Sequence, residues 1–319
     1  MTSNYEVLVI GAGPAGLSAA MSLGRMGRHV LLCDDERPRN AASEHLNNFP
    51  TQDGINPREW RKRAREDLGK YKTVHFYQGS VLGIEKNGQH FRARFAVREP
   101  LNFRKIILAY GIVDHFPPIS GMSELWGKSV FHCPYCHGFE VKNTRLGLIG
   151  NGQFAEHMLP MLYSLSADMI LFTNESQDLD AEFIKKLEAK NVRLVDGKIK
   201  ELVHENYRLK FLVLENGDTF ERDGLFLAPM LPLQSKSELG QLLGCEKNDM
   251  GFYKIGMMGN TTVEGVFAAG DITTRMHSVL SSAATGQLAG AGAVAELVAE
   301  DFASDLDRGV GPPDGGKVR

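Results

Sequence analysis

The chain has 319 residues, 43% hydrophobic and 24% charged, with 36 basic residues against 39 acidic ones for a net charge of -3. That balance fits an ordinary globular protein of about two domains and speaks against a nucleic-acid or membrane surface. Four cysteines in a chain this long argue against a disulfide scaffold and leave chemistry for the one close pair, at positions 133 and 136.

The chain enters a strand at "YEVLVI" (5–10), with no basic or cleavable apolar stretch before it, which predicts a cytoplasmic protein. "GAGPAG" (11–16) follows, then a helical stretch, then "HVLLC" ending at Asp34. Gly11 permits the tight turn, Gly13 lets the backbone approach a pyrophosphate, and Gly16 lets helix and strand pack closely. The helix N-terminus supplies N–H groups and partial positive charge for phosphates, and Asp34 is placed to accept from ribose hydroxyls. This strand–turn–helix–strand context predicts dinucleotide binding where bare glycine spacing would not. The basic run "REWRKRARED" (58–67) contains its own acids and predicts a solvated helix face.

"FRARFAV" and "FRKIILAYG" predict strands, and "DHFPPISG" (114–121) has the chemistry of a linker. Next comes "HCPYCHGFE" (132–140), two cysteines three apart between two histidines. Zinc would need four ligands, usually two separated pairs, and Cys33 and Cys245 stand alone elsewhere. Cys-X-X-Cys spacing permits a disulfide and commonly depresses a thiol pKa. The same four residues form a glutaredoxin-type motif, but here they sit in a long chain with a dinucleotide loop. A dithiol/disulfide in contact with a flavin accounts for both features.

A second strand–turn–helix–strand run follows at 145–173, with Gly150, Gly152 and Ala155 in its loop and Pro160 expected to kink or shorten its helix. After its second strand the sequence reads "LFTNESQDLD", without the arginines an NADP 2′-phosphate needs or a clear acid for NAD, so nicotinamide binding stays open here. "VEGVFAAGD" (263–271) is a strand ending in Gly270 and Asp271, a carboxylate placed for a further cofactor hydroxyl that favours FAD and able at the same time to cap the next helix. "LSSAATGQLAGAGAVAELVA" (280–299) suits a helix packed closely on a flat neighbour and is a poor membrane span. From about residue 303 the tail is rich in Gly, Pro and charge and predicts disorder.

With these residues in order, the chain resembles the low-molecular-weight thioredoxin-reductase-type flavoproteins. The resemblance rests on "GAGPAG" with Asp34, "NNFP" (47–50), "LAYG" (108–111), the Cys-X-X-Cys pair, the second glycine loop and "VFAAGD". It implies an α/β fold of two Rossmann-like, three-layer dinucleotide-binding domains, the second inserted in the first. Residues 1–114 and 241–319 would bind FAD, and 115–240 would form an NAD(P)H-binding-like domain carrying the cysteines. The implied FAD contacts are Gly11, Gly13, Pro14, Ala15, Gly16, Asp34, Asn40, Asn48, Val81, Ala109, Gly111, Gly270, Asp271, His277 and Ser278. Gly150, Gly152 and Ala155 would form the nicotinamide loop. Cys136 would lie nearer the flavin, Cys133 would exchange with the substrate sulfur, and His137 stands where relatives carry an acid/base aspartate. His132 and Glu140 are secondary candidates. A homodimer is implied, with a thioredoxin-like protein or a small dithiol/disulfide as substrate.

Three departures bear on the direction of electron flow. Tyr110 replaces a threonine, the second loop lacks the usual glycine run, and the arginine-rich stretch that grips the NADPH 2′-phosphate is absent. "CPYCHG" is similar to a subgroup containing the dithiol oxidases of gliotoxin- and holomycin-like disulfide biosynthesis, which use oxygen as acceptor. The sequence therefore leaves three FAD-dependent readings: an NADPH-fed disulfide reductase, an oxygen-dependent dithiol oxidase, and a ferredoxin-fed reductase. A redox-sensing flavin module is the non-enzymatic alternative.

Overall fold

The first apolar run forms β1 (Val7–Ile10), with all four residues buried, as a strand covered on both faces requires. α1 (Pro14–Arg25) follows the glycine turn, and β2 (Val30–Asp34), β3 (Val74–Gln78) and β4 (Lys105–Leu108) join the same sheet. β1 lies between β2 and β4, in parallel with both, with Val7 opposite Val30 and Lys105. The structure is a computed structural model that describes residues 5–176, 178–228 and 234–308. It divides into two units. One comprises the chain up to Pro38, Arg61–Ile112 and the chain from Gln234 onward; the other comprises Arg39–Trp60 and Val113–Leu233.

The second unit carries β5 (Val130–Phe131), α2 (Pro134–His137), β6 (Leu146–Ile149), α3 (Gly152–Tyr163), β7 (Met169–Phe172), β8 (Arg193–Val195) and β9 (Gly224–Leu227). Its parallel sheet runs β8-β7-β6-β9-β5. On one face, Ala155, Met158, Leu159 and Leu162 of α3 pack with Leu148, Leu171 and Phe226. On the other, Leu202, Leu212 and Phe220 of a three-stranded antiparallel sheet pack with Ile149, Phe172 and Leu225. Helix, parallel sheet and antiparallel sheet make the expected three layers. Pro160 does not end α3, which continues to Tyr163. The missing proline N–H leaves one carbonyl of the preceding turn without its helical donor, and the packed apolar face holds the helix across that gap.

Back in the first unit, β10 (Val266–Ala268) pairs in parallel with β4 and completes the order β10-β4-β1-β2-β3. α4 (Val279–Arg308) then packs on α1 through the small residues of 280–299. A Cβ on Gly286 would lie 2.0 Å from the Ala15 carbonyl oxygen, and one on Gly290 would lie 2.6 Å from that of Ala19. The Gly/Ala run therefore serves backbone-to-backbone helix packing. Among the described residues no helix is long and apolar enough to cross a membrane. The expectation of disorder from about 303 is corrected for 303–308, which continue α4; residues 309–319 lie outside the described residues. The first glycine of the tail is Gly309, so nothing before it breaks a helix already propagating.

Candidate active site

The first glycine loop is built by close approaches that exclude side chains. Gly11 has φ of +100°, where L residues are strained, and a Cβ there would lie 2.4 Å from the Ala109 carbonyl oxygen. A Cβ on Gly16 would lie 1.8 Å from the Gly11 carbonyl oxygen. Gly13 differs, because nothing lies within 4 Å of the place its Cβ would take. It is the N-cap of α1 and makes no side-chain cap, and Pro14 occupies the first turn. The N–H groups of Ala15 and Gly16 thus face an open step of backbone at a positive helix end, which fits a dinucleotide pyrophosphate.

Asp34 ends β2 beside this loop. Its Oδ1 accepts from the Ala12 N–H at 3.0 Å and its Oδ2 accepts from Arg65 at 2.8 Å. It therefore braces the turn as well as presenting a carboxylate, which retains acceptor capacity for a ribose hydroxyl. Gly111, with φ of +74°, has the same empty surroundings as Gly13. Its neighbour Tyr110 turns away into the core, where its hydroxyl and that of Tyr253 are 2.8 Å apart. Gly270, with φ of +78°, leads into Asp271, which accepts from the Ser282 hydroxyl at 3.0 Å. Ser278, whose Oγ accepts from the Ser281 N–H at 3.0 Å, caps α4 in place of Asp271. His277 precedes that cap, and Val81 opens the strand Val81–Asn87. Two of the implied FAD contacts, Asn40 and Asn48, fall in Arg39–Trp60, which groups with the second unit.

The second glycine loop is furnished differently. Asn151 caps α3, its Oδ1 accepting from the N–H groups of Gly152 at 3.0 Å and Asp178 at 2.9 Å. Its amide also donates to the Ser176 hydroxyl. The Asp178 carboxylate lies 3.2 Å from where a Cβ on Gly152 would sit. Gly150 packs against Ala228, and Ala155 is buried in the core. A phosphate arriving here would meet a consumed N–H and a carboxylate, and residues 173–180 carry no Lys or Arg to offset that repulsion. These residues do not fit a nicotinamide dinucleotide.

Cys133 and Cys136 are joined as a disulfide, with Cα atoms 5.3 Å apart. Cys133, in extended conformation, is the N-cap of the one-turn helix α2, whose first residue is Pro134. The N–H groups of Cys136 and His137 both point back to the Cys133 carbonyl at 3.2 Å. Gly138 is required after them, since a Cβ there would lie 2.4 Å from the Pro134 carbonyl oxygen. Tyr135 and Phe139 stand out to solvent, 70% and 83% exposed.

Residues 39–60, within the same unit, hold this turn in place. The Asn47 amide donates to the Cys136 carbonyl at 2.8 Å and to the Glu140 carboxylate at 3.1 Å. His137 Nε2 is 3.1 Å from the Ser43 hydroxyl, and the imidazole stacks on Phe131 with centroids 4.5 Å apart. Burial, and secondarily the nearby His45, push its pKa down to about 4. His137 is therefore neutral near pH 7. Its Nδ1 is buried with no hydrogen-bond partner among the described residues. His132 stacks on Trp126, whose ring meets that of Phe116 at a tilt. Ser43, Asn47 and Asp178 were not among the sequence candidates. Asn47 stood in the "NNFP" motif, whose only expected site residue was the next one.

The family model for pyridine nucleotide-disulphide oxidoreductases matches residues 5–287. The chain is 32% identical over 314 residues to the thioredoxin reductase tcpT of Claviceps purpurea, covering 94% of this chain and 96% of that one. It is 30% identical over 310 residues to the thioredoxin reductase aclD of Aspergillus oryzae, covering 94% and 98%. Among solved structures it is similar to HlmI, with a TM-score of 0.91 at 34% identity over 97% of both chains.

Proposed function

Because the chain belongs to the pyridine nucleotide-disulphide oxidoreductase family, as an FAD-dependent disulfide oxidoreductase of thioredoxin-reductase type, we propose that it works as a dithiol oxidase. It takes two electrons from a small dithiol through Cys133–Cys136 and needs no nicotinamide. The observation that carries this reading is the second glycine loop, where Asn151 takes up the Gly152 N–H and the Asp178 carboxylate stands beside Gly152.

His137 begins the reaction as a base. An incoming substrate thiol attacks the Cys133 sulfur while His137, unprotonated at working pH, accepts its proton in the same step. The Cys133–Cys136 bond breaks, a mixed disulfide with Cys133 forms, and Cys136 leaves as the thiolate. The second substrate thiol attacks the substrate sulfur of that mixed disulfide and expels Cys133, whose departing sulfur takes up the proton that thiol gives up. The substrate departs as a disulfide, two electrons and two protons poorer, and the protein pair is reduced. When bound, FAD supplies the two-electron carrier that restores the pair, with molecular oxygen as the final acceptor and hydrogen peroxide as the product. Tyr135 and Phe139 give the disulfide an apolar rim suited to a compact, uncharged dithiol.

In this reading FAD is held in the domain of residues 1–114 and 241–319, by Gly11, Gly13, Pro14, Ala15, Gly16, Asp34, Asn40, Asn48, Val81, Ala109, Gly111, Gly270, Asp271, His277 and Ser278. The protein acts as a cytoplasmic homodimer. The exposed Leu280, Leu288, Val298 and Phe302 on α4 offer an apolar face for a second copy. The test is aerobic turnover with a small dithiol and no nicotinamide, with oxygen and peroxide followed together. One peroxide per disulfide is expected; oxidation that starts only when a nicotinamide or a reduced ferredoxin is supplied contradicts the proposal.

A further inference from the structure

The Ser43 hydroxyl meets both the His45 carbonyl and His137 Nε2. The Ser43 hydroxyl lies 2.7 Å from the His45 carbonyl oxygen, an atom that can only accept, so the single hydroxyl proton points there. The contact with His137 Nε2 at 3.1 Å must then run the other way, with Nε2–H donating to the hydroxyl oxygen. A neutral imidazole carries one N–H, so Nδ1 is left with its lone pair. Nδ1 is buried and has no partner among the described residues. An unpaired buried acceptor is costly, and each such orphan in a native structure calls for an explanation. Here the orphan belongs to the residue directly after Cys136.

We propose that Ser43 is a positioning residue that locks His137 as the Nε2–H tautomer and so keeps the Nδ1 lone pair as the imidazole's one proton-accepting atom. The inference rests on the dithiol-oxidase reading and adds an atom and a cause to it. The surroundings leave His137 little else to respond to. Phe131 covers one ring face, Ser43 holds Nε2, His45 is the nearby titrating group, and the Glu140 carboxylate is engaged by Asn47. Loss of Ser43 removes the acceptor for Nε2–H and lets the imidazole exchange tautomers or turn.

The test compares Ser43→Ala, Ser43→Thr and His137→Gln, each alone, and Ser43→Ala combined with His137→Gln, in dithiol oxidation by the flavin-loaded protein. Ser43→Ala is expected to lower kcat by about 10- to 100-fold, by analogy with the orienting partners of metal-bound histidines, with KM little changed. Ser43→Thr keeps the hydroxyl and should restore most of the rate. Ser43→Ala should cost nothing further once His137 is glutamine. Nitrogen-15 spectra of histidine-labelled protein near pH 7 should show His137 protonated at Nε2 in the native and Ser43→Thr proteins. An Nδ1–H tautomer in the native protein, or a Ser43→Thr rate as low as that of Ser43→Ala, overturns the proposal. So does an additive loss in the double variant. Full turnover in His137→Gln contradicts the base itself, and with it the oxidase mechanism given above.

Discussion

Cys133→Ser is expected to abolish dithiol oxidation while leaving a folded, flavin-binding protein. Serine oxygen cannot form the disulfide that receives the substrate electrons, so both the mixed disulfide and the transfer are lost together. The local structure should survive. Cys133 serves α2 as its N-cap in extended conformation, and serine is among the best N-cap residues. The Asn47 bond to the Cys136 carbonyl is untouched by the change. Turnover at the background of the uncatalysed reaction, beside an unchanged flavin spectrum and melting temperature, is the expected pair of readings. Retained turnover would mean that the disulfide reports on redox state without carrying the reaction.

His137→Gln is the second large effect, with a loss of about 10²-fold in kcat/KM, the lower end of the general-base range because a base of depressed pKa is a weaker one. The glutamine amide can still donate to Ser43, so the turn should keep its form while the lone pair at Nδ1 is gone. The pH dependence carries a second signature. Folding lowers the His137 pKa from 6.5 to about 4, so the native base stays unprotonated down to that region and the acid limb of kcat/KM should fall there. The stability effect has the same sign. The unfolded chain takes up the proton near 6.5 while the folded chain does not until about 4, so stability is lost as pH falls through that window. His137→Gln should remove that part of the acid loss, which urea titrations at several pH values would measure.

Local close approaches are what made much of the fold legible. Gly11 and Gly16 are forced by contacts with residues near in sequence or in the adjoining strand, so a glycine pattern between apolar runs reports them directly. The redox pair was legible for the same reason, both partners lying within a single turn. Ser43 and Asn47 were not, because 94 and 89 residues separate them from His137 and Cys136, and no periodicity encodes such a pairing. The closure of the second loop was half visible. Missing arginines can be read from the sequence, but the placement of Asp178 against Gly152 follows from how the chain returns after β7. At the C-terminal end composition misled, since averaging over the tail hid that 303–308 contain neither Gly nor Pro.

In the dithiol-oxidase reading electrons enter from a dithiol and not from a nicotinamide. Mixing the oxidised, FAD-loaded protein anaerobically with excess small dithiol, NADPH or NADH and following the flavin absorbance separates the two. Prompt bleaching by the dithiol alone is expected, with peroxide released when oxygen is readmitted. Prompt bleaching by either nicotinamide would contradict that reading.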